Sequence, residues 1–249
     1  MALERPKFNV PSAAESKQFV DSNNRFLTLK DGDTVQLRFL PAAGDNPSIF
    51  FPVANHHGLK TQDNKKVALA CLGVHGTVET GKRCLLCEAS RYLKETDEEL
   101  AKETRAQTRF YTQVLQAMFG TVGGKPVLKG WSGPKLIQWS GKAQGKLQAI
   151  ADSMEKMGEP LFYDPDQGQA LMVTRIGAKM DTEYMPERTG KIVGLDEIRP
   201  TWGDEFLTDI NEAAGLNVAS RELQLSYLRV SYPAIDWATA LVAGEADED

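Results

Sequence analysis

All cysteines and histidines of this chain lie within one short stretch, and their spacing restricts how that stretch can fold. The three cysteines are Cys71, Cys84 and Cys87, and the three histidines lie between positions 56 and 75. Zinc in a structural site binds four sulfur or nitrogen ligands in a tetrahedron, and a Cys-x-x-Cys turn supplies two of them from a single bend. Three cysteines with one histidine would complete the shell. The spacing therefore predicts one structural Zn²⁺ in a subdomain at about residues 55–90.

The spacing leaves the histidine ligand open among His56, His57 and His75. Three other interpretations compete with a structural site: three buried free thiols, a redox Cys-x-x-Cys, or a catalytic zinc as in nucleobase deaminases. No βαβ pattern surrounds the cysteines, as a redox motif would require. Deaminases need His-x-Glu and Pro-Cys, but His57 and His75 are followed by Gly-Leu and Gly-Thr, and Arg83 precedes Cys84. Four protein ligands also leave no position for a catalytic water. We therefore expect a structural metal and no enzymatic activity.

Charge is distributed unevenly along the chain, although the formal net charge is only −5. Residues 1–100 carry 13 basic and 13 acidic side chains, whereas residues 104–151 contain seven Lys or Arg and no Asp or Glu. Residues 201–249 reverse the sign, with ten carboxylates against two arginines. A basic middle segment with an acidic end is typical of a protein that binds a polyanion, although a solvated face with a solubilising tail would give the same pattern.

Aromatic side chains are interspersed among the basic residues of segment 104–151. Basic side chains bind a phosphate backbone, and aromatic rings stack on unpaired bases, whose faces a duplex hides. The combination predicts single-stranded DNA as a partner. The competing interpretation of each ring is core packing, and we expect Trp131 to be more exposed than Trp139. The predicted DNA-binding residues are Arg38, Arg105, Arg109, Tyr111, Lys125, Lys129, Trp131 and Lys135.

Strand periodicity supports two of these assignments. In residues 34–40, Arg38 alternates with Leu37 and Phe39, so its side chain is expected to point away from the core. In the strand that begins at residue 109, the same period places Arg109 and Tyr111 on one face. An arginine beside a tyrosine would combine a cation with a stacking surface.

The predicted fold is mainly β with helical insertions, because short strands are interrupted irregularly by helical segments. A small barrel, elaborated in its loops, fits this order better than a parallel α/β sheet does. We divide the chain into an amino-terminal arm, a core with the zinc subdomain, a helical segment and an acidic tail, at residues 1–30, 31–200, 201–244 and 245–249 respectively. The charged segment 88–107 is predicted to form one surface helix, and residues 204–214, 220–229 and 235–242 short helices.

The sequence shows no recognisable signal for export or membrane insertion. No stretch approaches the roughly 18 consecutive apolar residues of a membrane-spanning helix. The first residues lack the apolar segment of a signal peptide, so export is not expected. An odd number of cysteines in such a chain favours reduced thiols over disulfides. We therefore predict a cytoplasmic protein that does not bind membranes.

The chain resembles the single-stranded-DNA-binding, or helix-destabilising, protein family of T-even-type bacteriophages over roughly residues 33–195. The matching pieces occur in order along the chain. They are Leu-Arg-Phe-Leu-Pro at 37–41, Val-Ala-Asn-His-His-Gly at 53–58, the cysteines at 71, 84 and 87, Thr-Arg-Phe-Tyr at 108–111, and Met-Gly-Glu at 157–159. The order His, Cys, Cys-x-x-Cys is the most specific part of this resemblance.

The resemblance implies an OB-fold barrel core with an inserted zinc subdomain. It implies that the protein coats single strands in DNA replication, recombination and repair, in the host cytoplasm if a phage encodes it. The family's zinc histidine lies in an Asn-His-Gly context, which favours His57 because Gly58 follows it; His56 and His75 remain alternatives.

The resemblance also implies self-association along DNA and recruitment of replication or recombination proteins by an acidic end. Two features depart from the family pattern: only Arg5 and Lys7 stand near the start where the family has a dense basic cluster, and the acidic tail is short. Functions of another class stay open, namely a zinc-containing component of a nucleic-acid enzyme or a protein-interaction adaptor of the replisome.

Overall fold

The computed structural model describes residues 26–41, 48–75, 83–177, 182–196, 198 and 218–242. The predicted arm up to residue 25, the predicted helix at 204–214 and the acidic tail lie outside these ranges. The strands are β1 (Thr34–Phe39), β2 (Phe51–Lys60), β3 (Lys66–Ala70), β4 (Gln107–Val122), β5 (Lys125–Trp131), β6 (Lys135–Trp139), β7 (Gln169–Ile176) and β8 (Glu183–Ile192). The helices are α1 (Leu72–His75), α2 (Leu85–Thr96), α3 (Glu98–Thr104), α4 (Gly141–Lys156), α5 (Arg221–Ser231) and α6 (Trp237–Val242).

The strands form one eight-stranded sheet in the order β3-β2-β4-β1-β7-β8, and β5 and β6 also pair with β4. Six pairings are antiparallel: β1 with β4 and β7, β2 with β3, β4 with β5 and β6, and β7 with β8. Within the described ranges the order does not close on itself, since β3 and β8 end it. The observed class is therefore a mixture of helices and an open antiparallel sheet.

The chain forms two compact units. Unit 1 contains residues 1–51 and 110–213, and unit 2 contains residues 52–109 and 214–249. Unit 2 thus combines the cysteine- and histidine-containing segment with the carboxy-terminal helices α5 and α6. None of the described helices has the length and apolar character needed to cross a membrane.

Unit 1 has its larger core on one face of its strands, and a smaller apolar cluster surrounds Leu115, which points to the other face. Leu37 and Phe39 of β1 are fully buried in the larger core against Trp139 and the apolar side of α4. The indole Nε1 of Trp139 donates a 2.8 Å hydrogen bond to Thr112 Oγ1, so its burial leaves no polar atom unsatisfied. Ser140 precedes helix α4 as its N-cap residue, and its hydroxyl accepts the N–H of Ala143. The prediction that Trp131 is more exposed than Trp139 is confirmed, because Trp139 has no exposed surface.

Unit 2 has a separate apolar core in which α2 is central. Leu86, Ala89 and Leu93 lie one helical turn apart and pack with Leu228 and Trp237. The prediction of one surface helix over 88–107 is wrong in two respects: α2 buries an apolar stripe, and the helix is interrupted at residue 97. The carboxylate there accepts the N–H of residue 100 and caps α3, as Asp commonly does at an N-terminus.

Candidate metal centre and nucleic-acid interface

Four side chains of unit 2 bring their ligand atoms within 4.8 Å of one another: His56, Cys71, Cys84 and Cys87. The Sγ atoms of Cys71 and Cys87 are 3.4 Å apart, and His56 Nε2 lies 3.4 Å from Cys84 Sγ and 3.6 Å from Cys87 Sγ. Tetrahedral zinc bonds separate two sulfurs by about 3.8 Å and a sulfur from a nitrogen by about 3.6 Å. This donor set, three sulfurs and an imidazole nitrogen, could therefore hold a metal ion such as zinc.

The backbone presents the three thiols from two directions. Cys71 follows β3, and its N–H donates a 2.8 Å hydrogen bond to the carbonyl of Ala54 in β2. Cys84 is the N-cap residue of α2, and its carbonyl accepts the N–H groups of Cys87 and Glu88 at 3.1 and 3.2 Å. This tight turn brings the Cys-x-x-Cys thiols together at the start of a helix, as the spacing predicted.

Two further residues orient these ligands, and sequence reasoning missed both. His56 Nδ1 lies 2.7 Å from the carbonyl oxygen of Thr104, to which it donates its proton, so the Nε2 lone pair faces the sulfurs. Gln224 has no exposed surface, and its Oε1 accepts the N–H of Leu85 at 3.1 Å, beside Cys84. Neither residue has a sequence signal, because a carbonyl and a distant glutamine acquire these roles only through folding.

The ligand cluster shifts the acidity of its own groups. Burial opposes the charged form of His56, but hydrogen bonds to Cys71, Cys84 and Thr104 outweigh it and raise its pKa to about 10. Hydrogen bonds from Cys71 and Cys87 lower the pKa of Cys84. Hydrogen bonds within the cluster, burial and the charge of Cys84 raise the pKa of Cys87. Without a metal, the cluster therefore favours a single thiolate, at Cys84. A bound cation would be needed to stabilise further thiolates beside it.

Metal loading should therefore release protons. At pH 6–8 a metal-free cluster keeps protons on His56, whose pKa is about 10, and on Cys87, whose pKa is raised. Zinc binds thiolates, and only one of the three is favoured without metal. Zinc must therefore displace about three protons, two from thiols and one from His56, so its affinity should rise by roughly three powers of ten per pH unit. Calorimetric zinc titrations in buffers of different ionisation enthalpy measure the number. An affinity that does not change across this pH range would contradict the assigned ligands.

The predicted zinc ligand His57 is corrected to His56. His56 is 1% exposed and belongs to the cluster, whereas His57 is exposed. Successive side chains of a strand point to opposite faces, so only one of two adjacent histidines in β2 can reach the thiols. The Asn-His-Gly context identified the correct segment but the wrong member of the pair.

His75 and Glu88 lie near the cluster in sequence but do not belong to it, and each has another partner. His75 Nε2 accepts the N–H of Ala54 at 2.9 Å, so this imidazole holds the backbone of β2. The Glu88 carboxylate lies 2.5 Å from Arg83 and 3.9 Å from Arg221, which neutralise it. The cluster found among the described residues contains no carboxylate.

Arg38, a predicted DNA contact, is instead fully buried in unit 1. Its side chain does point away from Leu37 and Phe39, as the alternation predicted, but residues 162–168 and 193–195 cover that face. The guanidinium donates to the carbonyls of Val193 at 2.7 Å and Phe162 at 3.2 Å, and also to those of residues 39 and 164. Burial lowers its pKa to about 10. Arg38 therefore ties loops to the sheet and is not available to phosphate.

The other seven predicted DNA-binding residues reach the surface. In unit 2, Arg105 and Arg109 are exposed. In unit 1, Lys125 and Lys129 of the β4–β5 hairpin are exposed. Tyr111, Trp131 and Lys135 of the same unit are partly exposed.

Four rings that reach the surface lie on one side of β4 in unit 1, towards its two ends, with the buried Leu115 between them. We call them the aromatic face, and it consists of Phe26, Tyr111, Phe119 and Trp131. Residues 111, 117 and 119 share this side by alternation, and Trp131 pairs with residue 117. Phe26 and Phe119 are 43% and 52% exposed. The rings of Phe26 and Tyr111 meet edge to face at 6.2 Å. Phe26 was not predicted, because residues 1–30 show no strand period.

The chain matches no protein-family model and no curated protein sequence.

Proposed function

We propose that this chain is a non-catalytic single-stranded-DNA-binding protein that coats and protects single strands during replication, recombination and repair. The observation that carries the proposal is the aromatic face, which lies largely in the segment without carboxylates. All four rings keep part of their surface in water, although Trp131 also packs on an apolar cluster that buries Leu115 on the same side of the sheet. A ligand with flat apolar faces and a negative backbone fits such a surface.

In this proposal the rings bind the bases by stacking, and the basic side chains bind the phosphates. Each unpaired base that stacks on a ring contributes roughly 1–3 kcal/mol, independently of its identity. The exposed Lys125 and Lys129 of the β4–β5 hairpin supply cations to phosphates in unit 1. Exposed Arg105 and Arg109 supply cations in unit 2. Because no Asp or Glu occurs in residues 104–151, this segment itself places no carboxylate against a phosphate.

The metal in this proposal is structural zinc. Four protein donors fill a tetrahedral shell, so no open position remains for a substrate or a catalytic water. Zinc would join the end of β3 to the start of α2 through Cys71 and the Cys-x-x-Cys turn. Unit 2 is small, and zinc binding in comparable modules contributes on the order of 10 kcal/mol to folding.

The resemblance to the T-even-type phage family supports the proposal through the same residues, with His56 replacing His57. We further propose that unit 1 is a variant of the OB fold, whose barrel closure an experimental structure would test. Self-association on DNA and recruitment of replication proteins by residues 245–249 are proposals on the resemblance alone. Deleting those five residues should abolish partner binding and leave affinity for DNA intact or increased.

Titration with oligo-dT tests the proposed function. We expect strong quenching of tryptophan fluorescence by single strands, weak quenching by duplex, and relief by salt, because ring stacking needs unpaired bases. Logarithmic affinity should fall with logarithmic salt concentration at a slope of about −0.7 per phosphate contact. An oligo-U titration measures the preference for DNA over RNA. Absence of quenching together with absence of salt-sensitive binding would reject the proposal.

A matched pair of lysine variants locates the charge contacts. Lys129→Gln should weaken oligo-dT binding about three- to tenfold at low salt and reduce the salt slope by roughly 0.7. Lys156→Gln removes the same charge from the end of α4, which packs on the opposite side of the sheet, and should change neither quantity. Fluorescence anisotropy over a series of salt concentrations measures both. Equal losses in the two variants would indicate a general charge effect and contradict the proposed surface.

A further inference from the structure

The three thiols of the metal centre differ in accessibility. Cys71 and Cys84 are 3% and 4% exposed, whereas Cys87 is partly exposed. Cys87 Sγ also lies 3.4 Å from Cys71 Sγ. Cys84 Sγ lies 3.4 Å from His56 Nε2 and 3.8 Å from Gln224 Oε1, and Cys84 has no more than 4% of its surface exposed. An oxidant from solvent therefore reaches Cys87 first.

We propose that Cys87 is an oxidation site, and that hydrogen peroxide converts Cys71 and Cys87 into a disulfide and expels the metal. The inference rests on the metal site of the proposed function and is independent of DNA binding. It assigns the metal centre a second property, sensitivity to oxidants.

The chemistry has two steps. The Cys87 thiolate attacks one peroxide oxygen, the O–O bond breaks, and hydroxide leaves, which makes Cys87 a sulfenic acid. The Cys71 thiolate then attacks the Cys87 sulfur, the S–O bond breaks, and a second hydroxide leaves as the S–S bond forms. Each sulfur loses one electron, and the peroxide gains both. The two sulfurs need to approach from 3.4 Å to about 2 Å.

Oxidation would exchange one cross-link for another. The disulfide joins the residue after β3 to the first turn of α2, the same two elements that the metal joins. His56 and Cys84 would remain as ligands, and two donors are too few for tight zinc binding. The oxidised, metal-free form should therefore keep unit 2 more protease-resistant than the reduced, metal-free form.

The test uses the full-length, zinc-loaded protein and hydrogen peroxide. We expect one equivalent of zinc, read with a chromogenic chelator, to be released as two thiols disappear. Alkylation followed by peptide mass mapping should find a Cys71–Cys87 cross-link and an alkylated Cys84. Dithiothreitol with added zinc should restore the starting state. A cross-link between Cys84 and Cys87, over-oxidised Cys84, or retained zinc would each overturn the proposal.

Two substitutions that keep four metal ligands provide matched variants. Cys87→His removes the accessible thiol and should slow peroxide-driven zinc release by at least about tenfold, since imidazole is not a nucleophile toward peroxide. Cys84→His keeps the Cys71–Cys87 pair and should release zinc at nearly the native rate. Equal sensitivity of the two variants would also overturn the proposal. If either variant fails to bind zinc, the cross-link map of the native protein decides.

Discussion

Replacing His56 with alanine is expected to abolish stoichiometric zinc binding, whereas His57→Ala should retain one equivalent. Three thiols without the imidazole leave the shell incomplete, and loss of a ligand should weaken zinc affinity more than the roughly hundredfold seen on mutating supporting residues. Because the metal joins β3 to α2, zinc-free unit 2 should also lose protease resistance, while unit 1 keeps its own core.

Adjacent histidines in the same strand make this comparison closely matched. Both variants remove one imidazole from β2, but only His56 contacts the thiols. Zinc content by elemental analysis and limited proteolysis measure the two outcomes. Loss of zinc in His57→Ala with retention in His56→Ala would show that the ligand assignment is wrong. Retention of zinc by both variants would point to a shell without histidine.

Replacing Arg38 with methionine is expected to destabilise unit 1 by about 3–5 kcal/mol. Methionine fills most of the volume but donates no hydrogen bond, so the carbonyls of Val193 and Phe162 would remain buried without their donor. The loops at 162–168 and 193–195 should loosen, and amide exchange there should increase. DNA affinity under folding conditions should not change through loss of a phosphate contact, since the guanidinium is fully buried.

Gly168 offers an independent test of the same packing. A Cβ atom at Gly168 would lie 2.5 Å from Arg38 Nη2 and 2.5 Å from the Asp164 carbonyl oxygen, so Gly168→Ala should also destabilise unit 1. Lys125→Met serves as the control, because it removes a charge from an exposed hairpin. Denaturant unfolding measures all three. A destabilisation of Arg38→Met below about 1 kcal/mol would contradict the proposed role, since even one buried carbonyl left unpaired costs that much.

The local rules of the sequence anticipated a large part of the site. Cys-x-x-Cys spacing predicts a tight turn with two converging thiols, and the turn at Cys84 and Cys87 has that form. Alternation in β1 placed Leu37 and Phe39 on one side of the strand and Arg38 on the other. These features follow from the geometry of a turn or a strand, which neighbouring residues determine by themselves.

Tertiary structure decided which side of each strand meets water. Arg38 lies on the side that the alternation indicated, yet loops more than 120 residues away in sequence cover it. The sequence context favoured His57, and only the position of the thiols from β3 and α2 selects His56. Thr104 and Gln224 support the metal centre through a carbonyl and a buried amide that have no pattern to predict them. A strand period is a local property, whereas burial depends on which distant segment packs against that strand.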